Sequence, residues 1–251
     1  MNMLSRTLRL ISTLIAYLAF GLVGASFALI LPFALRRLPE GLAGQRRARR
    51  IVARIWTGYL TAMRWGGIYR VTWHGRERLG RPGQLILVNH PSLMDVLFMI
   101  SAVPEGNCVV KASLLTNPSM RPAIRACGYI PNDASLELIE KTAAVLAEGQ
   151  TLILFPEGTR TGYDGIIRLN RGAVSIGLRG ARVITPVVIR MTPPGLKRGD
   201  PWYKIPPRPY HYDIRVGDDI DPEDYLRCKP LPLAARLLND DLTRYFQKET
   251  T

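Results

Sequence analysis

The sequence predicts an α/β domain with a mostly parallel sheet flanked by helices. Strand-length apolar runs alternate with segments of helical period from Tyr69 onward, the pattern of strands joined by crossover helices. Two of those runs, Leu85–Val88 and Thr151–Leu154, stop abruptly at polar turn residues. An uncharged N-terminal stretch and a basic amphipathic segment precede the alternation, dividing the chain into 1–38, a membrane anchor, 39–67, a basic helix, and 68–251, the folded domain.

Leu10–Leu35 holds no charged residue over 26 positions. That exceeds the roughly 20 residues a helix needs to cross the hydrocarbon core. A secretory signal has a shorter apolar region, about 7–15 residues, and a small-residue cleavage site, which this stretch lacks. A retained membrane helix is expected, with shallow interfacial insertion as the fallback. Gly21, Gly24, Ala25 and Ser26 would admit a close neighbour, and Pro32 would kink or end the span. Arg6 and Arg9 precede the span, while Arg36, Arg37, Arg46, Arg47, Arg49 and Arg50 follow it. The excess places the rest of the chain in the cytoplasm, on the cell membrane (the inner membrane in a bacterium).

After the break at Pro39-Glu40-Gly41, Ala48, Ile51, Val52, Ile55, Trp56, Tyr59, Leu60 and Met63 recur at three-to-four spacing, with arginines between them. This is an amphipathic helix ending at Gly66-Gly67. Its arginines serve either a solvated face or lipid phosphates.

Strands follow at Tyr69–Trp73, Leu85–Val88, Asn107–Val110, Thr151–Phe155, Val183–Ile189 and Tyr210–Val216. Helices are expected at Ser92–Ala102, Ser135–Ala147 (Leu136, Ile139, Ala143 and Leu146 on one face), Gly172–Leu178 and Leu231–Phe246. Pro193–Pro209, crowded with Pro, Gly, Lys and Arg, reads as an irregular basic surface loop.

His90 stands just past the first of the two interrupted runs, and Asp95 five residues further on. A neutral imidazole at a strand end suits a general base, and a carboxylate in the next turn can fix its tautomer. Alone, H-x4-D is as well explained by a surface histidine and a helix-dipole aspartate. His74 and His211 have Leu79 and Val216 at the same spacing, so His90 alone has the carboxylate. Phe155-Pro156-Glu157-Gly158-Thr159-Arg160 ends the second run. If the two strands are parallel, both motifs face one crevice at the carboxyl edge of the sheet.

Asn89-His90-Pro91-Ser92-Leu93-Met94-Asp95 followed by Phe155–Arg160 resembles the glycerolipid acyltransferase family, which includes the 1-acylglycerol-3-phosphate and other lysophospholipid acyltransferases. The resemblance covers roughly Gln84–Arg190 and makes 68–251 the acyltransferase domain. It implies transfer of a fatty acyl group from an acyl-CoA or acyl carrier protein thioester to a hydroxyl of a lysophospholipid-like acceptor. It implies His90 as base and Asp95 as its partner, with Asn89, Lys111, Glu157, Gly158, Thr159 and Arg160 binding substrate. No bound cofactor, metal or nucleic acid is implied; membrane lipids and the thioester carrier are the partners. Glu157 would bind an acceptor hydroxyl or hold Arg160, whose fork suits a phosphate.

One departure stands out. Lys111 and Gly128-Tyr129-Ile130 fit the family's second motif, but Pro131-Asn132-Asp133 stands where an arginine is expected. An aspartate repels a phosphate, which admits a lyso-aminolipid, glycolipid or polyene lipid as the acceptor. The rival classes are a lipid hydrolase, disfavoured because no G-x-S-x-G elbow surrounds Ser92, and a non-catalytic membrane-binding protein. Ser92 is expected to cap the following helix. A net charge of +14 suits anionic thioesters and anionic lipid. Cys108, Cys127 and Cys228 show no pairing pattern and read as reduced thiols, structural rather than acyl-carrying.

Overall fold

The computed structural model describes residues 3–133, 136–197, 199–201, 206–227 and 229–250. The chain runs α1 (Met3–Leu29), α2 (Leu31–Leu35), α3 (Gly41–Trp65), β1 (Tyr69–His74), β2 (Gln84–Val88), α4 (Asp95–Ala102), β3 (Asn107–Lys111) and α5 (Arg121–Cys127). It continues through β4 (Ile130–Asn132), α6 (Leu136–Ala147), β5 (Leu152–Leu154), α7 (Arg171–Gly180), β6 (Val183–Thr192), β7 (Tyr210–Val216), α8 (Pro222–Leu226) and α9 (Leu231–Thr250). The strands form one sheet in the order β1-β7-β6-β2-β5-β3-β4. Neighbours are parallel except β6 and β7, so β1 and β7 run against the other five.

The central strands are buried on both faces, which is why they read as continuous apolar runs. Ile86, Val88, Ile153, Val187 and Ile189 join a cluster with buried residues of α3, α4 and α5. Leu85, Leu87, Leu152, Leu154 and Val188 join a second cluster with α6, α7 and α9. The sheet is thus sandwiched, and its two ends are left for loops.

Several elements differ from the expectation. The helix expected from Ser92 begins at Asp95, because the Asp95 carboxylate takes the Ser92 N–H and hydroxyl and holds 92–94 in a turn. Ser92 therefore bonds the carboxylate rather than capping the helix. Helices α5 and α8 and strand β4 have no counterpart in the periodicity; they are three to seven residues long, too short to show a period. Ser135 and Cys228 lie outside the described residues, as do 202–205 of the basic loop.

The uncharged stretch breaks at Ile30, two residues before Pro32. Thr7–Leu29 is long and apolar enough to cross a membrane. Yet one side of it is docked lengthwise on the domain. Arg9, 9 % exposed, donates to the carbonyls of Pro206 and Pro207 at 3.3 and 2.8 Å. The Tyr59 hydroxyl donates to Ala16 O at 3.2 Å. Phe20 and Phe27 pack on the Trp56 ring at 5.4 and 5.6 Å between centroids. On the opposite side Leu8, Ile11, Ile15, Leu18, Leu22 and Leu29 form an exposed stripe. Along α3, Ala48, Val52, Ala53, Trp56, Leu60 and Met63 are buried as the period requires, while Arg47, Arg50 and Arg54 are exposed. Arg49 breaks the pattern and is wholly buried.

Candidate active site

Strands β2, β5 and β3 are parallel, so His90, the Phe155–Arg160 segment and Lys111 all emerge at one edge of the sheet. His90 Nδ1 lies 2.9 Å from Asp95 Oδ2. Asp95 is fully buried and also accepts the Ser92 N–H and the Ser92 hydroxyl, each at 2.6 Å. Burial raises the Asp95 carboxyl above its ordinary value, and the His90 and Ser92 bonds pull it back toward the ionised form. With Nδ1–H on the carboxylate, the imidazole presents Nε2 as its basic atom. The ring stacks at a tilt on Phe155, centroids 4.6 Å apart, and its side chain is 17 % exposed. Below it the Tyr212 hydroxyl meets Ser92 Oγ at 3.1 Å, so β7 braces the same turn.

The two motif segments are laced together. Glu157 Oε1 accepts the His90 backbone N–H at 2.8 Å and the Thr161 hydroxyl at 2.9 Å. Thr161 N–H in turn donates to His90 O at 2.8 Å. Burial raises the Glu157 carboxyl, opposed by the His90 N–H and the Thr161 hydroxyl. Glu157 does not hold Arg160, contrary to one expectation: Arg160 Nη1 donates to Leu196 O at 2.8 Å. Gly158 has φ of 68°, a left-handed conformation, and its N–H closes a turn on Phe155 O at 3.1 Å. Thr159 and Lys111 are exposed at the same edge.

Asn89 is a correction. It is 1 % exposed; its Nδ2 donates to Ile189 O at 2.9 Å and its Oδ1 accepts Ile189 N–H at 2.7 Å. The amide thus continues the β2–β6 ladder past its last residue, and both of its polar atoms are taken by Ile189. At the expected position of the second-motif arginine, Asn132 ends β4 in register with Lys111, and Asp133 is exposed beside it. Cys108 and Cys127 are buried, and burial pushes both thiols up to about 12, which leaves neither activated as an acyl carrier. Among the described residues, no group of three or more His, Cys, Asp or Glu is placed to hold a metal ion.

Thr161 and Tyr212 were invisible as site residues in the sequence, and Phe155 was visible only as part of the Phe155–Arg160 motif, with no role of its own. Phe155 alone carried a local signal, as the aromatic closing the strand before Glu157.

A histidine bonded to a buried carboxylate thus stands at the carboxyl edge of an α/β sheet, beside an arginine-bearing turn, an arrangement that has the parts base-assisted group transfer requires. Comparison with known proteins makes the class specific. Residues 70–190, just under half of the chain, match the family model Acyltransferase, so this stretch is an acyltransferase domain. It is 24 % identical over 152 residues to a 1-acyl-sn-glycerol-3-phosphate acyltransferase of Chlamydomonas reinhardtii, covering 58 % of this chain and 45 % of that protein. It is 29 % identical over 136 residues to a putative 1-acyl-sn-glycerol-3-phosphate acyltransferase of Caenorhabditis elegans, covering 50 % of this chain and 47 % of that one. The chain thus spans less than half the length of either relative. The fold is that of the solved 1-acyl-sn-glycerophosphate acyltransferase PlsC of Thermotoga maritima, with a TM-score of 0.68 and 19 % identity over 96 % of this chain and 97 % of that one.

Proposed function

We propose that the chain is a membrane-bound O-acyltransferase that moves a fatty acyl group from an acyl-CoA or acyl carrier protein thioester to the free hydroxyl of a lysophospholipid, lysophosphatidate first among them. The observation that carries this reading is the 2.9 Å His90–Asp95 contact at the same sheet edge as Arg160. The acceptor hydroxyl attacks the thioester carbonyl as His90 Nε2 takes its proton. Asp95 stabilises the imidazolium that forms. The tetrahedral intermediate then collapses, the C–S bond breaks, and the thiolate leaves with the proton from His90. A positioned base of this kind is worth about 10²–10⁴-fold. Arg160 and Lys111 are the cations for the acceptor headgroup, while Glu157 keeps the two loops in register. The acceptor name comes from the relatives; Asp133 beside Lys111 favours a lyso-aminolipid as the second reading.

The outward stripe of α1 suits an interfacial seat, with apolar side chains among acyl chains and the arginines of α3 near phosphates. The catalytic edge then meets lipid from the cytoplasmic side, where both thioester donors are found.

The test is transfer of labelled acyl groups from each thioester to lysophosphatidate, a lyso-aminolipid and water, in mixed micelles, read by lipid mass spectrometry. Acylated lysophosphatidate is expected, and His90→Ala lowers its rate by about 10²–10⁴-fold with an unchanged far-UV spectrum. Free fatty acid as the sole product makes the protein a hydrolase instead, and a fully active variant ends the mechanism.

A further inference from the structure

The chain leaving β6 straps the Arg160 turn, and it carries a cation the mechanism above does not use. We infer that Lys197 is a further cation of the acceptor-headgroup site, joining Arg160 and Lys111 to hold a phosphate; this rests on the acyltransferase reading.

The two segments exchange cations for carbonyls. Arg160 of the turn donates to Leu196 O of the strap, and Lys197 of the strap donates through Nζ to Thr161 O at 3.0 Å and to Gly162 O. Thr161 is the residue whose N–H holds His90 O, so Lys197 sits one residue from the catalytic loop's own fastening. Asp200 shapes the strap by accepting Lys197 N–H at 2.9 Å and the Tyr163 hydroxyl at 2.7 Å, and the Lys197 ammonium lies 4.9 Å from the Tyr163 ring centre. The carboxylates whose fields reach Lys197 are Asp164, Glu157, Asp200 and Asp95. Two of those, Glu157 and Asp95, are the groups bonded to His90.

Three features separate this from a loop staple. First, among the described residues neither Arg160 nor Lys197 has a carboxylate within ion-pair distance. Backbone carbonyls, not carboxylates, orient the two charges, which leaves both able to meet an anion. Second, Leu196 has φ of 53°, the sole positive-φ residue other than glycine among those described. Backbone strain in a residue that accepts Arg160 and precedes Lys197 is the kind kept where geometry serves a ligand. Third, the position at 131–133 where a phosphate-binding arginine is expected holds none. Lys197 restores the missing positive charge from the loop that follows β6.

The experiment uses the full chain in mixed micelles. Lys197→Met keeps the length of the side chain and removes the charge; Lys197→Arg keeps the charge. Lys197→Met is expected to weaken glycerol 3-phosphate binding, followed by calorimetry, by about tenfold, the scale of one charge-assisted hydrogen bond. The KM for lysophosphatidate should rise by a similar factor. The KM values for the thioester and for an uncharged monoacylglycerol acceptor should not move, and Lys197→Arg should restore the lysophosphatidate value. Unchanged glycerol 3-phosphate binding overturns the proposal. So does a KM shift confined to the thioester, which would assign Lys197 to the donor's phosphate, or equal damage with both acceptors, which would make it a staple. A wild-type protein that acylates nothing defeats the acyltransferase reading alone, since the binding measurement still decides Lys197.

Discussion

Arg49 and Arg160 are the same side chain at opposite ends of one sheet, and they do opposite work. Arg49 is wholly buried at the amino edge. Its donors go to Cys127 O at 2.7 Å, Glu105 O at 3.1 Å and Gln150 Oε1 at 3.0 Å, three groups that precede β4, β3 and β5. Burial lowers its pKa, yet the group keeps its proton and acts as a bolt joining α3 to the strand starts. Arg160 is half-buried at the carboxyl edge and, among the described residues, makes one hydrogen bond, to Leu196 O. What separates a structural guanidinium from a receptive one is therefore the number of donors left over and their access to a cleft. The amino edge spends its polar groups on itself. Gln84 accepts the Gly80 and Arg81 N–H groups and donates to Arg78 O and Thr185 Oγ1, and the Thr151 hydroxyl caps Arg81 O.

The largest expected effect tests the bolt. Arg49→Met removes the charge but strands two buried acceptors, Cys127 O and Gln150 Oε1, and the part-buried Glu105 O, with each buried one costing about 1–3 kcal/mol when left unmade. A loss of about 3–5 kcal/mol is expected in urea unfolding, a large share of the 5–15 kcal/mol typical of a domain. The rate per folded molecule should hold. A variant with normal stability and impaired turnover would place Arg49 in function and dissolve the contrast with Arg160.

Asn89 sharpens the comparison, because it stands at the carboxyl edge yet behaves as the amino-edge groups do. Asn89→Ala leaves both Ile189 backbone groups without partners in a buried place. The expected cost is about 1–3 kcal/mol in thermal or urea unfolding, with the acceptor KM unmoved. A raised acceptor KM at full stability would return Asn89 to the substrate side.

How far the sequence could be read follows the same division. Strands β2, β5 and β6 were legible because burial on both faces leaves an unbroken apolar run, and α3 because its period is sustained over 25 residues. His90 and Asp95 were legible because five residues of chain suffice to bring them together. Glu157 was found but its role was not: its partner is the His90 N–H, 67 residues away, and that pairing exists only once β2 and β5 lie side by side. Tyr212 lies inside β7 and Lys197 in the loop after β6, both in ordinary local sequence, and only the β6–β7 pairing and connection bring them to the site. Arg49 sat in an arginine-rich run, where nothing local distinguishes the buried member from its solvated neighbours. Strand β4 carried a proline, Pro131, tolerated because the strand lies at the sheet edge.

The smallest effect concerns the exposed corner of the amino edge, where the same self-pairing works in partial contact with water. Arg81 grips Asp219 through Nη1 at 2.8 Å and Nη2 at 2.6 Å, and the Thr185 hydroxyl donates to the same carboxylate at 2.7 Å. The Arg81 bond holds the Asp219 carboxyl below its ordinary value. Its contribution to stability is therefore present in full above the unfolded pKa, about 3.9, and is lost as pH falls through the lower folded value. Asp219→Asn should cost about 0.5–1 kcal/mol at pH 7, a modest figure because the side chains of Asp219 and Arg81 are 29 % and 41 % exposed. The difference from wild type should shrink below about pH 4 and approach zero near pH 2, where both proteins carry a neutral group at this position. Urea unfolding at pH 7, 4 and 2.5 checks the sign. A gap that widens on acidification would mean that the folded state takes up a proton at Asp219 more readily than the unfolded chain, and the corner would then be held by something other than the ion pair. The contrast with Arg49 is in the slope: the buried bolt has no acidic partner to titrate, so its contribution should hold across the range in which the corner's disappears.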